Sequence, residues 1–219
     1  IGDTLAATYG CMGALAALHH RSKTGEGQIV DSALYEAVLQ VMESTVSDYS
    51  ASGTKRRRTG STLPGIAPSN VYPCKDGEYL IGANQDGVFA RLAAAMGRPE
   101  LAGDERYATH RARGVQQEEL DALIGEWTAT MTIEELEVKM VEAGVPAGRV
   151  FDAEDMLADP HFAAREALVT VADEELGEVR MQGVFPKLSA TPGSVRRPAP
   201  LAVGQDTAEV LKRWLGREV

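Results

Sequence analysis

The sequence predicts a mixed α/β fold, with helices at both ends of the chain and an α+β region between them. Three observations support this prediction. Apolar and small residues recur at helical spacing from Asp3 onward. Two stretches rich in β-forming residues are each interrupted by a turn signal, one at Asp76–Gly77 and one near Gly177. With 219 residues, 44% of them hydrophobic, the chain can build one large domain or two small ones.

The first helix is predicted to begin at Asp3 and to end near Gly25. One of its faces carries a stripe of small residues, Ala6, Gly10, Gly13 and Ala17. Such a stripe lets a second backbone approach the helix closely. A short extended segment over 28–31 follows, and a second helix is expected from about Ser32 to Ser50.

Helical periodicity is lost over 50–68, where Gly, Ser, Thr and Pro collect. This composition indicates a linker or a functional loop, and a domain boundary is expected there. A hairpin is predicted over 71–83 and a short helix over 86–96. Two helices are then predicted to pack as a pair, one over 116–131 and one over 132–144. The second of them opens with a capping box, Thr132 to Glu135.

The C-terminal third is predicted to be mixed. Residues 145–166 are expected to hold a strand and one short helix closed by Asp159–Pro160, and residues 168–185 a second hairpin. The segment 186–200 is expected to be extended, and the last helix to begin near Asp206 or Thr207.

Charge and motif content exclude several functions. The formal charge of −10 disfavours nucleic-acid or anionic-membrane partners and favours small molecules or proteins. No apolar run approaches the ~20 residues that span a bilayer. Cys11 and Cys74 are expected to be reduced thiols, which favours a cytoplasmic protein. The four histidines form no ligand set, so no metal is expected, and no nucleophile elbow or Walker loop is present.

Two short motifs are interpreted as structural. TGEGQ lacks the preceding strand and following helix of a dinucleotide-binding loop, so a plain turn is expected there. The basic run over 55–58 is interpreted as a solvated loop, with contact to a phosphate as the alternative. The first residue is Ile1, with no Met and no leader before the first helix, and we therefore expect the chain to be the later part of a longer protein.

Asp3 permits two interpretations from local chemistry alone. Aspartate is a preferred helix N-cap, and a cap contributes ~1 kcal/mol. The same position also suits catalysis, because a helix N-terminus favours an ionised carboxylate and its backbone amides can hold an oxyanion. Local chemistry leaves both interpretations open.

The chain as a whole resembles a known family. Family III CoA-transferases, the formyl-CoA and carnitine CoA-transferase family, carry a segment similar to GDTLAATYGCMGALAALHHRSKTGEGQIVDSALYEAVL. Their loop and hairpin resemble RTGSTLPGIAPSNVYPCKDG, their short later helix resembles DPHFAAREALV, and their return segment resembles GVFPKLSATPGSVRRPAPLAVGQDTAEVL. The resemblance follows the family's order over essentially the whole chain, and it covers the C-terminal half or so of such a protein.

The resemblance implies a catalytic role for Asp3. In the implied mechanism its carboxylate attacks an acyl-CoA thioester, and an aspartyl anhydride and an aspartyl-CoA thioester follow. Gly60, Ser61 and Thr62 match a loop that lies near the active site in relatives, where they are expected to contact substrate. Relatives often have Asn and His where this chain has Ser61 and Leu63, and GEHT where it reads GQDT.

The resemblance also implies an architecture. Residues 1–60 are expected to be the helical part of a Rossmann-like large domain with a linker, 61–185 a small α+β domain, and 186–219 a segment that returns to the large domain. Most of the CoA nucleotide site is expected to lie outside this chain. The implied partners are acyl-CoA and small carboxylic acids, with coenzyme A as a substrate and no separate cofactor, and the full-length protein is expected to form a homodimer.

Two other functions stay open from the sequence. One is an α-methylacyl-CoA racemase, a related enzyme whose matching aspartate exchanges protons rather than forming a covalent bond. Racemases tend to have a glycine-rich run after the aspartate, whereas this chain has TLAATYGCMG, which favours the transferase. The other is a non-catalytic folding and dimerisation module.

Overall fold

The computed structural model describes residues 1–216, which form two compact units. The first unit is Ile1–Ser61, and the second begins at Thr62 and holds the rest of the described chain. No helix in this part of the chain is both long and apolar enough to cross a bilayer. The expected division into 1–60, 61–185 and 186–219, with the last part returning to a larger domain, stays a prediction.

The first unit contains three helices, α1 (Gly2–Thr24), α2 (Leu34–Gln40) and α3 (Thr45–Ser52). The prediction of one continuous second helix over 32–50 is therefore wrong. The break lies at residues 41–44, where the backbone of Glu43 is left-handed with φ of 52°. A non-glycine residue in this region cannot continue a right-handed helix, so the chain restarts as α3.

The small-residue stripe of α1 holds the extended segment that follows the helix. A Cβ atom on Gly13 would lie 2.7 Å from Val30 Cγ1, closer than van der Waals contact allows. Two turns towards the start of α1, Ser32 Oγ donates a hydrogen bond to the Ala6 carbonyl at 3.2 Å. The small residues of α1 therefore make room for the side chains of Val30 and Ser32, whereas the close approach of a second backbone stays a prediction.

The second unit is built on a three-stranded antiparallel sheet in the order β1–β2–β3, formed by Ser69–Cys74, Gly77–Gly82 and Ala147–Arg149. The first hairpin is confirmed, with Cys74 paired to Gly77 and the turn at residues 75–76. β3 comes from far along the chain and pairs Ala147 with Ile81 on β2. The sheet therefore joins segments that lie on either side of the helical pair in the sequence.

Four helices and a 3-10 turn follow this hairpin in the chain and lie between β2 and β3 in the sequence. They are α4 (Asp86–Ala95), a 3-10 turn (Pro99–Gly103), α5 (His110–Val115), α6 (Gln117–Thr128) and α7 (Ile133–Ala143). The expected helices over 86–96, 116–131 and 132–144 are confirmed, and so is the capping box at Thr132 and Glu135. The 3-10 turn and α5 have no counterpart in the sequence prediction. Strands and helices share one core, which includes Tyr72, Tyr79, Phe89, Leu92, Leu120, Ile124, Leu136 and Met140.

The rest of the second unit contains α8 (Ala153–Ala158), α9 (Pro160–Ala164), the hairpin β4–β5 (Leu168–Asp173 and Gly177–Gln182) and α10 (Thr207–Leu215). The hairpin and the last helix are confirmed. The strand and the short helix closed by Asp159–Pro160 are confirmed as β3 and α8, and a further short helix, α9, follows directly. Asp159 ends α8 and caps α9 by accepting hydrogen bonds from the amides of His161 and Phe162, while Pro160 occupies the first position of α9.

Candidate functional site

Asp3 lies in the first turn of α1, and its side chain is exposed. The N-cap position belongs to Ile1, and no side-chain cap hydrogen bond forms there, so the helix-cap interpretation of Asp3 is wrong for the described chain. An acidic side chain in the first turn is stabilised by the positive end of the helix dipole. Geometry therefore leaves the Asp3 carboxylate accessible to a reagent, and its catalytic role stays a prediction.

The predicted substrate loop crosses the boundary between the two units. Gly60 and Ser61 close the first unit and Thr62 opens the second. Gly60 has a left-handed backbone with φ of +66°, and a Cβ atom there would meet no heavy atom of the described chain within 4 Å. Backbone conformation alone thus accounts for a glycine at this position. Ser61 is exposed and Thr62 half-buried, and their substrate contacts stay predictions.

A tight turn follows Thr62 and is held from a distant helix. The Ile66 amide donates to the Leu63 carbonyl at 3.1 Å, with Pro64 and Gly65 between them and φ of +78° at Gly65. Proline followed by a glycine of positive φ is typical of a type II turn. Gln117, at the start of α6, hydrogen-bonds to three backbone groups of this turn. We call these four residues, 63–66, the PG turn.

Arg113 on α5 has no exposed surface. Its guanidinium donates to the carbonyls of Ala67 (Nε, 3.2 Å), Tyr107 (Nη1, 2.8 Å) and Asn84 (Nη2, 2.7 Å). Nη2 also pairs with Asp86 Oδ1 at 2.6 Å, and this hydrogen bond holds the pKa of the Asp86 carboxyl below its ordinary value. Arg113 thereby joins α5 to three segments of the second unit, at residue 67, residues 84–86 and residue 107.

Neither Gln117 nor Arg113 is predicted from the sequence to have a functional or structural role. Each lies in a polar stretch, HRARGVQQEEL, whose pattern indicates a solvent-facing helix start. No spacing rule marks a side chain that binds the backbone of residues about fifty positions earlier. The signal that could have found them is comparative, because a buried arginine and a loop-binding glutamine are constrained in ways that a surface residue is not.

Two residues of the basic run over 55–58 form contacts within the first unit. Arg56 pairs with Asp48 at 3.3 Å and with Glu43 at 3.8 Å, and the Lys55 ammonium lies 5.9 Å from the Tyr49 ring centre. All four residues are exposed, which agrees with the interpretation of the run as a solvated loop, and contact with a phosphate stays untested. The contacts of Lys55 and Arg56 engage two of its four cations within the described residues.

The second unit also contains a half-buried acid that lies outside the predicted site. Asp121 on α6 accepts hydrogen bonds from Tyr72 Oη at 2.5 Å and from Asn70 Nδ2 at 3.2 Å. Burial raises the pKa of the Asp121 carboxyl, although both hydrogen bonds act against this rise. Burial and the neighbouring carboxylate also raise the pKa of Tyr72. This cluster fixes α6 against β1, which gives it a structural role.

Within residues 1–216 no group of three or more His, Cys, Asp or Glu side chains is arranged to hold a metal ion. Cys11 is exposed and Cys74 half-buried, and both are free thiols.

Comparison with known proteins gives a consistent result. The family model for CoA-transferase family III matches residues 1–207. A succinyl-CoA–D-citramalate CoA-transferase from Chloroflexus aurantiacus is 54% identical over 217 residues, which is 99% of this chain and 54% of that protein. A succinyl-CoA–L-malate CoA-transferase beta subunit from the same organism is 39% identical over 219 residues, again 99% of this chain and 54% of that protein.

The solved structures agree in fold. The crystal structure of a CaiB/BaiF family protein from Brucella suis superposes with a TM-score of 0.76 at 30% identity, over 97% of this chain and 55% of that one. The chain thus spans about half the length of the relatives that it matches. Its mixed α/β fold with small antiparallel sheets follows the fold of these relatives over nearly all of its own length. The chain belongs to CoA-transferase family III.

Proposed function

We propose that the protein containing this chain transfers coenzyme A from succinyl-CoA to a 2-hydroxydicarboxylic acid, with the Asp3 carboxylate as the nucleophile. The observation that carries the proposal is the 54% identity over 217 residues to an enzyme named for succinyl-CoA and D-citramalate. A second relative is named for succinyl-CoA and L-malate, and both acceptors are 2-hydroxydicarboxylic acids. The exposed position of Asp3 in the first turn of α1 is compatible with this role.

The proposed reaction proceeds by acyl exchange at Asp3. Its carboxylate oxygen attacks the donor thioester carbonyl, the C–S bond breaks, and a mixed anhydride and the CoA thiolate form. The thiolate then attacks the aspartyl carbonyl, which releases the donor acid as its carboxylate and leaves an aspartyl-CoA thioester. The acceptor carboxylate displaces CoA from this thioester, and the thiolate finally attacks the acceptor carbonyl of the new anhydride. Each step exchanges one leaving group, and the Asp3 carboxylate is regenerated.

Substitution of the nucleophile tests the proposal. Asp3→Asn in the full-length protein removes the nucleophilic oxygen and keeps the size of the side chain. We expect near-complete loss of CoA transfer from succinyl-CoA with little change in melting temperature, because the side chain is exposed and forms no cap. Glu26→Gln is the matched control, since it neutralises another exposed acid of the first unit. Retained turnover in purified Asp3→Asn would show that another group is the nucleophile.

A trapping experiment separates CoA transfer from racemisation. Full-length protein is incubated with succinyl-CoA and treated with hydroxylamine, which should convert an Asp3 acyl intermediate to a hydroxamate visible by mass spectrometry. A racemase forms no such bond. Unmodified Asp3, together with solvent deuterium at the α-carbon of a 2-methylacyl-CoA, would support the racemase alternative.

We infer in addition that the full-length protein assembles as a homodimer. One relative is named as the beta subunit of its enzyme, which makes a complex of unlike chains the other outcome. Mass measurement of the purified full-length protein distinguishes the two. Assay of residues 1–219 alone tests the remaining alternative, a non-catalytic folding and dimerisation module.

A further inference from the structure

We propose that Gln117 and Gly114 are positioning residues, which hold the PG turn and thereby fix the backbone leading into Thr62. The proposal concerns the predicted substrate loop and so rests on the proposed function. Gln117 and Gly114 themselves lie more than fifty residues from this loop in the sequence. Their effect is mediated entirely by the backbone of residues 63–66.

The Gln117 amide group satisfies three backbone groups of the PG turn at once. Its Oε1 accepts from the Gly65 amide at 3.1 Å, and its Nε2 donates to the carbonyls of Leu63 at 3.1 Å and Ile66 at 3.2 Å. A primary amide has an acceptor oxygen and two donor hydrogens, so this set uses both donors and the acceptor oxygen. Neither a carboxylate nor an ammonium of similar size has this combination. The turn therefore selects for glutamine at residue 117.

Gly114 packs directly against the backbone of Gly65 in the PG turn. A Cβ atom at residue 114 would lie 2.3 Å from the Gly65 carbonyl oxygen and 2.9 Å from its carbonyl carbon, both of them backbone atoms. Backbone cannot rotate away as a side chain can, so any residue larger than glycine must displace the turn. In addition, Arg113 donates to the Ala67 carbonyl directly after the turn. Residues 113, 114 and 117 thus fix one continuous stretch, 63–67.

This arrangement determines where Thr62 can lie. Thr62 is bonded directly to Leu63, whose carbonyl accepts from both Gln117 and Ile66. Three residues of the PG turn, Leu63, Pro64 and Gly65, are exposed, and Ile66 is half-buried. Exposed backbone of this kind opens readily unless other groups hold it. A loop that must place groups against a reacting thioester requires such an external restraint, since a misplacement of about 1 Å can cost roughly 100-fold in rate.

Two variants perturb the turn in opposite ways. Gln117→Leu removes the hydrogen bonds and keeps the approximate volume, whereas Gly114→Ala keeps the glutamine and pushes the turn away. Gln116→Leu is the matched control, because Gln116 is the adjacent residue and makes no side-chain cap hydrogen bond to α6. All three are made in the full-length protein. Each is assayed for succinyl-CoA turnover, melting temperature and amide hydrogen exchange of peptides that cover 63–67.

In Gln117→Leu and Gly114→Ala we expect kcat to fall about 10- to 100-fold with a smaller change in KM, because productive geometry is lost while binding is largely kept. Exchange at Gly65 and Ile66 should accelerate, whereas the Gln116→Leu control should match wild type in both measurements. The ratio of Gln117→Glu activity to wild-type activity should rise as pH falls. A protonated carboxyl at residue 117 can donate to the Leu63 or Ile66 carbonyl, whereas a carboxylate cannot.

Two results would overturn the proposal. Unchanged exchange of the 63–67 amides in Gln117→Leu would show that the glutamine does not hold the turn. Faster exchange with wild-type kcat would show that the turn is held for folding alone. If wild-type protein transfers no CoA, the proposed function fails, and the exchange measurement, which needs no substrate, still decides whether Gln117 restrains the turn.

Discussion

Replacement of Arg113 by methionine is expected to destabilise the second unit strongly. Arg113 is completely buried, and its guanidinium lies 4.7 Å from the centre of the Phe89 ring. Methionine has a similar length and fills much of the same space without a charge or a donor. The variant therefore removes the hydrogen bonds while limiting the loss of packing.

The loss of stability in Arg113→Met depends on which hydrogen-bond acceptors of Arg113 are left without another partner. Asn84 O also lies 2.9 Å from His110 Nδ1, and the Asp86 side chain is 59% exposed, so both keep a partner or water. The carbonyls of Ala67 and Tyr107 have no second partner among the described backbone contacts. Each buried unsatisfied carbonyl costs about 1–3 kcal/mol, which gives a loss of roughly 4 kcal/mol for the pair. Broken buried ion pairs cost a similar ~3–5 kcal/mol.

Native-state hydrogen exchange of the full-length protein measures this loss within the second unit. The amides of β1 and β2 report on opening of the core that surrounds Arg113. A loss of about 4 kcal/mol should accelerate their exchange roughly 1,000-fold where exchange is limited by the opening equilibrium. Arg111→Met is the matched control, because Arg111 lies on the same short helix with an exposed side chain.

Arg113→Lys refines the test. Lysine keeps the charge but has a single nitrogen, which cannot reach three carbonyls that a planar guanidinium reaches with separate nitrogens. An intermediate acceleration is expected. If Arg113→Met changes exchange less than about fivefold, equivalent to ~1 kcal/mol, the bonding network does not stabilise the unit as argued.

Two further predictions concern α6 and α7. Because burial raises the pKa of Asp121, the folded protein keeps this proton to a higher pH than the unfolded chain does, so this contribution to stability declines as pH rises through the interval between the two pKa values. Asp121→Asn should remove that part of the pH dependence in melting experiments, and an identical slope in the variant would contradict the argument. Thr132→Ala removes the side chain that accepts from the Glu135 amide at 3.2 Å and should cost ~1 kcal/mol, whereas Thr132→Ser should be nearly neutral. The readout is hydrogen exchange in α7, and equal protection in the two variants would show that the capping box contributes nothing.

The sequence predicted the elements whose signals are local. The capping box at Thr132 and the hairpin around Asp76 appear in the structure because each depends on residues within a few positions of one another. The break at Glu43 was not predicted, since no glycine or proline marks it and only the backbone shows the left-handed residue. Short elements such as α5 were not predicted either, because six residues are too few to show a helical periodicity.

The candidate site likewise contains residues that the sequence could indicate and residues that it could not. Asp3 could be proposed as the nucleophile because a Gly-Asp pair before a small-residue helix is a contiguous motif that resembles the family. Local sequence could not decide whether Asp3 is a cap, because the N-cap position depends on where the backbone becomes helical. Gln117 and Arg113 could not be found, because their partners are backbone carbonyls and amides, which every residue carries and no sequence pattern distinguishes.

The hold of Gln117 on the PG turn also orders events during folding. The residues that it joins, Gly65 and Gln117, are 52 positions apart, so the chain must close a long loop before the contact can form. Among the described residues, the partner of the Gly65 amide is Gln117. The turn can bend locally through its own Leu63–Ile66 hydrogen bond, but the restraint from Gln117 can form only after α6 has been synthesised and has docked.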